Sequence, residues 1–225
     1  MVERRTPKIA IVDYEVGNLF SVAQACRQVG LDAEITDDPK AVAAAQAIIL
    51  PGVGGFPQAM AALTRQGLLS PIKDAAGAGR PILGICLGQQ LLMDSSTEFG
   101  HTAGLGLIEG DVVRLPDIAV SSGRRLKIPN IGWAGIRPGT SAQDWLDTPL
   151  ATTVPGADFY FVHSFFVRPR HAHNRLAVAD FGSFEFCAAV RQQWVFGCQF
   201  HPERSGSAGL QLYRTFRKIV ETVSA

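Results

Sequence analysis

The chain has 225 residues, 47% of them hydrophobic and 18% charged, with a formal net charge of +1. That is enough for one sizeable core, and the near-neutral balance gives no electrostatic case for nucleic acid or an anionic membrane as a partner. Met1 to Lys8 is charged and lacks the apolar segment of a signal peptide, and no apolar run approaches the length of a membrane span.

Lys8 to Asp13 (K-I-A-I-V-D) is a continuous apolar run ending in a carboxylate, the pattern of a parallel strand buried on both faces. Gly17 and Asn18 open a helix with apolar positions Leu19, Val22, Ala23, Cys26 and Val29, closed by Gly30. Leu31 to Thr36 reads as a second strand and Ala47 to Leu50 as a third. Strand, helix, strand at this pace predicts an open α/β sheet with right-handed crossovers. The third strand runs into Pro51-Gly52-Val53-Gly54-Gly55-Phe56, beyond the carboxyl edge where open α/β sheets hold their ligands. Glycines there can turn backbone N–H groups towards an anion, although a tight turn without chemistry has the same composition. No Lys-Ser/Thr follows, so this is not a nucleotide loop. Helices are predicted over Pro57 to Arg65 and Pro71 to Ala78.

The central stretch is P-I-L-G-I-C-L-G-Q-Q-L-L, Pro81 to Leu92. Ile82 to Ile85 reads as a buried strand and Leu87 to Met93 as a helix, with Cys86 at the join between Gly84 and Gly88. A G-x-nucleophile-x-G turn between strand and helix is a nucleophile elbow. The helix N-terminus there favours a thiolate over a thiol. The alternative is a cysteine packed as a small hydrophobe. The four cysteines, at positions 26, 86, 187 and 198, show no C-x-x-C and no metal-ligand spacing, as expected of reduced thiols in a cytoplasmic protein.

The second half changes texture. Phe99 to Gly110 is glycine-rich, with His101 a lone loop histidine, and Asp111 to Leu115 reads as a strand. Pro116 to Arg125 is predicted as an exposed loop, and Arg124, Arg125 and Lys127 as a short solvated basic cluster. Strands are predicted at Ile131 to Ile136, Phe159 to Val167, Leu176 to Phe181, Glu185 to Arg191 and Trp194 to Gln199, with a hairpin tip at Gln192-Gln193. Ser205 to Val223 is an amphipathic helix whose apolar face carries Leu210, Leu212, Tyr213, Phe216, Ile219 and Val220. The predicted fold is an α/β open mixed sheet in one domain, residues 1–225. It is mostly parallel with flanking helices in the N-terminal half and antiparallel in the C-terminal half.

The last strand leads into Phe200-His201-Pro202-Glu203. In an extended segment His201 and Glu203 leave the backbone on one side, so the carboxylate can hold the imidazole while it takes a proton from a thiol. A surface histidine beside a solvated glutamate is the alternative for any isolated H-x-E. Elbow cysteine, glycine loop and H-P-E together favour catalysis.

G-I-C-L-G-Q-Q with F-H-P-E resembles the class I, triad-type glutamine amidotransferases. Within them, D-Y-E-V-G-N-L, L-P-G-V-G-G-F, K-I-P-N-I-G-W and F-V-H-S-F are similar to the glutaminase subunits of imidazole glycerol phosphate synthases in histidine biosynthesis. The resemblance implies L-glutamine as substrate and Cys86 as the nucleophile that forms a γ-glutamyl thioester. His201 would be the acid–base and Glu203 its orienting partner. It implies oxyanion donors at Leu87 and in Gly52-Val53-Gly54, and substrate contacts at Gly54, Gln90, Ser164 and Phe165. Asn18, Tyr160 and Arg204 would face a barrel-shaped, HisF-like cyclase partner that receives the ammonia. No metal or organic cofactor is implied. The sequence departs from the family pattern at Glu15, a usual glycine, at Gln89, a usual methionine, at Phe165, a usual tyrosine, and at Asn130 and Ala134. The same chemistry feeding a sugar-amidating synthetase is the alternative acceptor reading.

Overall fold

The computed structural model describes residues 8–119, 125–140 and 145–224. In chain order the first half contains β1 (Lys8–Val12), α1 (Leu19–Gln28), β2 (Asp32–Thr36), α2 (Pro39–Ala44), β3 (Ala47–Gly52), α3 (Phe56–Arg65), α4 (Leu69–Gly77), β4 (Ile82–Cys86) and α5 (Leu87–Leu91). There follow β5 (Met93–Ser96), β6 (Thr102–Ala103), β7 (Ile108–Arg114), β8 (Asn130–Gly135), β9 (Arg137–Pro138), β10 (Asp158–His163) and β11 (Phe165–Pro169). The chain ends with β12 (Arg175–Phe181), β13 (Phe184–Gln192), β14 (Val195–Cys198) and α6 (Gly206–Val223).

One twelve-stranded sheet runs in the order β2-β1-β3-β4-β14-β13-β11-β7-β5-β6, with β12 and β9 branching from β13. Strands β2, β1, β3, β4 and β14 are parallel neighbours, and β13 turns the sheet antiparallel. β8 and β10 form a separate two-stranded ribbon.

Burial on both faces explains the continuous apolar runs of the parallel strands. Ile9 and Ile11 of β1 join the core under α1 and α6, while Ala10 and Val12 join the core under α2 to α5. α6 lays Leu212, Tyr213, Phe216, Ile219 and Val220 on the first of these cores. Asn18 caps α1 by accepting the Ser21 N–H at 3.4 Å.

The open mixed sheet agrees with the sequence reading, but several element boundaries differ. The helix expected to reach Met93 stops at Leu91, and Met93–Ser96 is a strand paired parallel to β7. The run expected as one strand over Phe159 to Val167 breaks at Ser164, where the chain leaves the ribbon for the large sheet. α2 was not expected; its signals are the Asp38 cap, accepting from the Lys40 N–H, and Pro39 in the first turn. Arg125 and Lys127 are exposed, and Arg125 pairs with Asp117 at 3.4 Å. Arg124 and the tip of the Pro116 to Arg125 loop lie outside the described residues, as do the first seven residues.

Two departures from the family pattern have visible structural consequences. Glu15 has φ 69°, the left-handed conformation that suits glycine, and its carboxylate pairs with Arg65 at 2.7 Å. Gln89 is fully buried against Gly197, with neither amide atom hydrogen-bonded. An unpaired buried amide costs about 1–3 kcal/mol. Gln89→Met should therefore raise the urea midpoint, at unchanged slope, by an amount corresponding to about 1–2 kcal/mol.

Candidate active site

Cys86 ends β4 with φ 54° and ψ −108°. Holding a non-glycine residue there costs about 1–3 kcal/mol, and the packing around it imposes the turn. A Cβ on Gly84 would lie 2.7 Å from the Gly88 carbonyl oxygen, and one on Gly88 would overlap the Leu50 carbonyl oxygen. The two glycines thus let α5 lie directly on β3 and β4. Parallel register sets Gly52 beside Cys86 and Cys198 beside Ile85. The glycine loop, the cysteine and the approach to His201 therefore meet at the carboxyl ends of three adjacent strands. α5 is only five residues long, so it contributes less dipole than the expected longer helix.

His201 and Glu203 come together through a tight turn. Pro202–Arg204 is a single 3-10 turn, so the expected extended H-P-E segment is corrected. The turn brings His201 Nδ1 to 2.8 Å from Glu203 Oε1, with both side chains almost fully buried. The His201 backbone is strapped at both ends. Its N–H donates to the Tyr160 carbonyl at 2.9 Å, and its carbonyl accepts from Ser205 Oγ at 2.6 Å. Burial alone would pull the imidazole pKa down; the Cys86 and Glu203 side chains override it and push it up to about 10. His201 Nε2 has no partner at hydrogen-bonding distance, yet the interaction with Cys86 is the largest influence raising that pKa.

A cavity of about 250 Å³ opens over Cys86, lined by Val53, Gly54, Leu87, Gln90, Ser164 and Phe165, with Glu98 and His163 also on its wall. The Phe165 carbonyl organises much of this wall. It accepts from Gln90 Nε2 at 3.0 Å and from His163 Nδ1 at 2.9 Å, so both of its lone pairs are engaged. Burial pushes the His163 pKa down to about 4; Nδ1 carries the proton and Nε2 accepts from Asn130 Nδ2 at 3.1 Å. Gln90 Nε2 spends its second proton on Gln199 Oε1 at 3.1 Å, which leaves Oε1 for a ligand. The sulfur of Cys86 lies 3.6 Å from Gln199 Nε2 and 3.8 Å from the Val162 carbonyl oxygen. The Tyr14 hydroxyl donates to the Pro51 carbonyl, which pins the start of the glycine loop.

Of the residues singled out in the sequence, Cys86, Val53, Gly54, Leu87, Gln90, Ser164 and Phe165 share this cavity. Gly52 lies beside Cys86, and His201 interacts with it. Asn18, Tyr160 and Arg204 do not line the cavity. The Arg204 guanidinium stacks over Tyr160 at 4.4 Å, and Trp133, itself exposed, meets Tyr160 edge-on at 6.0 Å. Sequence reasoning missed Glu98, His163 and Gln199. Gln199 lies in the Q-F-H-P-E run, two residues before His201, and could have been found there. Glu98 carries no local signal, because its placement depends on accepting the Phe56 N–H at 2.7 Å across 42 residues of chain.

A profile of the family "Glutamine amidotransferase class-I" matches residues 10–219. The imidazole glycerol phosphate synthase subunit HisH of Syntrophotalea carbinolica is 46% identical, over 92% of this chain and 98% of that protein. The subunit HisH of Moorella thermoacetica is 42% identical, over 94% of this chain and 95% of its own. Among solved structures, one described as a glutamine amidotransferase superposes with TM-score 0.69 at 18% identity, over 94% of this chain and 98% of that one. PurLQS from Thermotoga maritima gives TM-score 0.68 at 23% identity, over 94% and 98%. These last two show the fold.

Proposed function

The chain belongs to the class-I glutamine amidotransferases, and on that basis we propose that Cys86, His201 and Glu203 hydrolyse the side-chain amide of L-glutamine. It supplies ammonia for imidazole glycerol phosphate formation in histidine biosynthesis, as the glutaminase subunit of that synthase. The observation that carries the reading is the elbow cysteine on the wall of a cavity of about 250 Å³, coupled to a buried His201–Glu203 pair. Near full-length identity of 40–46% to HisH subunits supports the acceptor pathway.

The Cys86 sulfur attacks the carboxamide carbon, and the charge moves to its oxygen. The Leu87 N–H and an N–H of Gly52-Val53-Gly54 hold that oxyanion, each such donor being worth a factor of about 10² to 10³ in rate. His201 gives its proton to the nitrogen, the C–N bond breaks, and ammonia leaves a thioester. His201 then takes a proton from water, whose oxygen attacks the thioester; the C–S bond breaks and glutamate departs. The chain works as a single glutaminase domain, residues 1–225, in the cytoplasm. Its ammonia passes to a HisF-like cyclase docked over Asn18, Tyr160 and Arg204. The exposed Ile131 and Trp133 on the adjoining ribbon support a partner at that face. Among the described residues no helix is long and apolar enough to cross a membrane.

Glu98 is the carboxylate on the cavity wall, with Oε2 taken by the Phe56 N–H, so its other oxygen receives the substrate ammonium. Both lone pairs of the Phe165 carbonyl are spent, which leaves that role to Glu98. Glu98→Gln should raise KM for glutamine by about 10- to 100-fold, with kcat changed far less.

The test of the whole reading is glutamate production by the purified chain, alone and with the cyclase subunit of the same organism plus its nucleotide ligand. Stimulation by the cyclase is expected. Turnover indifferent to a competent cyclase would instead point to a sugar-amidating partner.

A further inference from the structure

Gln199 belongs neither to the Cys86–His201–Glu203 set nor to the oxyanion donors, although it is fully buried and its amide nitrogen meets the Cys86 sulfur at 3.6 Å. We propose that Gln199 is a catalytic residue that donates an N–H to the Cys86 sulfur and stabilises it as the attacking and departing thiolate. The proposal deepens the assignment of Cys86 as nucleophile and rests on it.

The orientation of the amide follows from a chain of constraints. The Phe165 carbonyl can only accept, so the group that Gln90 presents to it must be the NH₂. That same NH₂ then requires an acceptor in Gln199, which turns Oε1 towards Gln90. The Gln199 NH₂ is left facing the sulfur. Two buried hydrogen bonds thus run from the substrate cavity to the nucleophile.

The surroundings of the sulfur give this donor its importance. The Val162 carbonyl, 3.8 Å away on β10, can only receive a proton and so favours the thiol. His201, Cys198 and Tyr14 are ionisable neighbours that interact with Cys86. Burial and the nearby Cys86 push the Tyr14 hydroxyl up; burial, then Glu203 and Cys86, push the Cys198 thiol up, so both stay neutral. α5 is only five residues long, and His201 and Gln199 are side chains placed to favour charge on sulfur. In acylation a sulfur lone pair becomes the S–C bond and the charge that Gln199 holds is released. In deacylation that bond breaks, the pair returns to sulfur, and Gln199 recovers its anionic partner.

The test is the rate at which iodoacetamide alkylates Cys86 in the full chain at pH 7.5, read by mass spectrometry of the Cys86 peptide. Gln199→Met keeps the volume and removes the donor, and should slow alkylation about tenfold with the thermal transition retained. Gln199→Glu, which sets a carboxylate against the sulfur, should slow it further. Should Gln199→Met not fold, Gln90→Met frees the Gln199 amide to turn over and should slow alkylation about threefold. A folded Gln199→Met, or failing that Gln90→Met, that alkylates within twofold of the natural chain overturns the proposal. Alkylation needs neither glutamine nor cyclase. A chain whose Cys86 responds to Gln199 but which never hydrolyses glutamine would sink the glutaminase reading and leave this one standing.

Discussion

Cys86→Ala is expected to lower cyclase-stimulated glutamine hydrolysis by about 10⁴-fold or more, because removing the nucleophile leaves only binding and the oxyanion donors. The same substitution should move the His201 pKa down from its value of about 10. Burial opposes charge on the imidazole, and Cys86 is the largest of the influences that overcome it. An NMR titration of the His201 ring in Cys86→Ala therefore gives a readout independent of turnover. The two results belong to one mechanism. In the proposed mechanism the raised pKa of His201 favours a protonated imidazole, ready for the leaving ammonia. Once the thioester forms, the largest influence raising that pKa is gone, and burial then favours the neutral imidazole that can accept a proton from water. Glu203→Gln, which keeps the shape and loses the charge, should cost about 10³ to 10⁴ in kcat. Turnover that persists in Cys86→Ala, or a His201 titration that does not move, would overturn the mechanism.

The second large effect concerns stability. Gly88→Ala places a methyl group onto the Leu50 carbonyl oxygen, a backbone atom inside β3 that cannot swing aside. The cost should be about 4 kcal/mol, lowering the melting temperature by about 8–16 °C for a chain of this size. Gly77→Ala is the matched control. A Cβ there meets nothing within 4 Å, at the last residue of α4, and a gain of about 0.5–1 kcal/mol is expected. Equal melting temperatures for the two variants would mean that α5 can lift off β3, and that the elbow is not set by close packing.

These contrasts show which parts of the molecule can be read from sequence. β1, β3 and β4 are buried on both faces, so composition alone marks them, and Gly84 and Gly88 mark the elbow because backbone contact admits no other residue. Short elements escape: α2 has six residues, and Met93–Ser96 follows α5 with no turn signal while its partner β7 lies further along the chain. The break at Ser164 is invisible because Phe159 to Val167 is apolar on both sides of it, and only pairing assigns the halves to different sheets. For the site, Cys86, His201 and the glycine loop stand at strand ends that local patterns locate. Glu98 does not, since it is Phe56 that positions it, and His163 is held by Asn130 across the ribbon as well as by Phe165 close by. Gln199 lay in plain sight, but its importance depends on which way its amide points.

The strand order carries a consequence for how the protein is made. β4, which ends in Cys86, is flanked by β3 on one side and by β14 on the other. During synthesis β1 to β4 emerge long before β14, which begins at Val195. Until then β4 is an edge strand with a row of unpaired N–H and C=O groups, which invites pairing with other chains. The pairing that covers it is non-local, and contacts of that kind form slowly. The strand that seals this edge is the one that delivers His201, so the nascent chain gains its proposed base only when its vulnerable edge is closed. A ribosome-bound chain stopped short of β14 should be both catalytically silent and prone to aggregate, and release of the last thirty or so residues should end both states together.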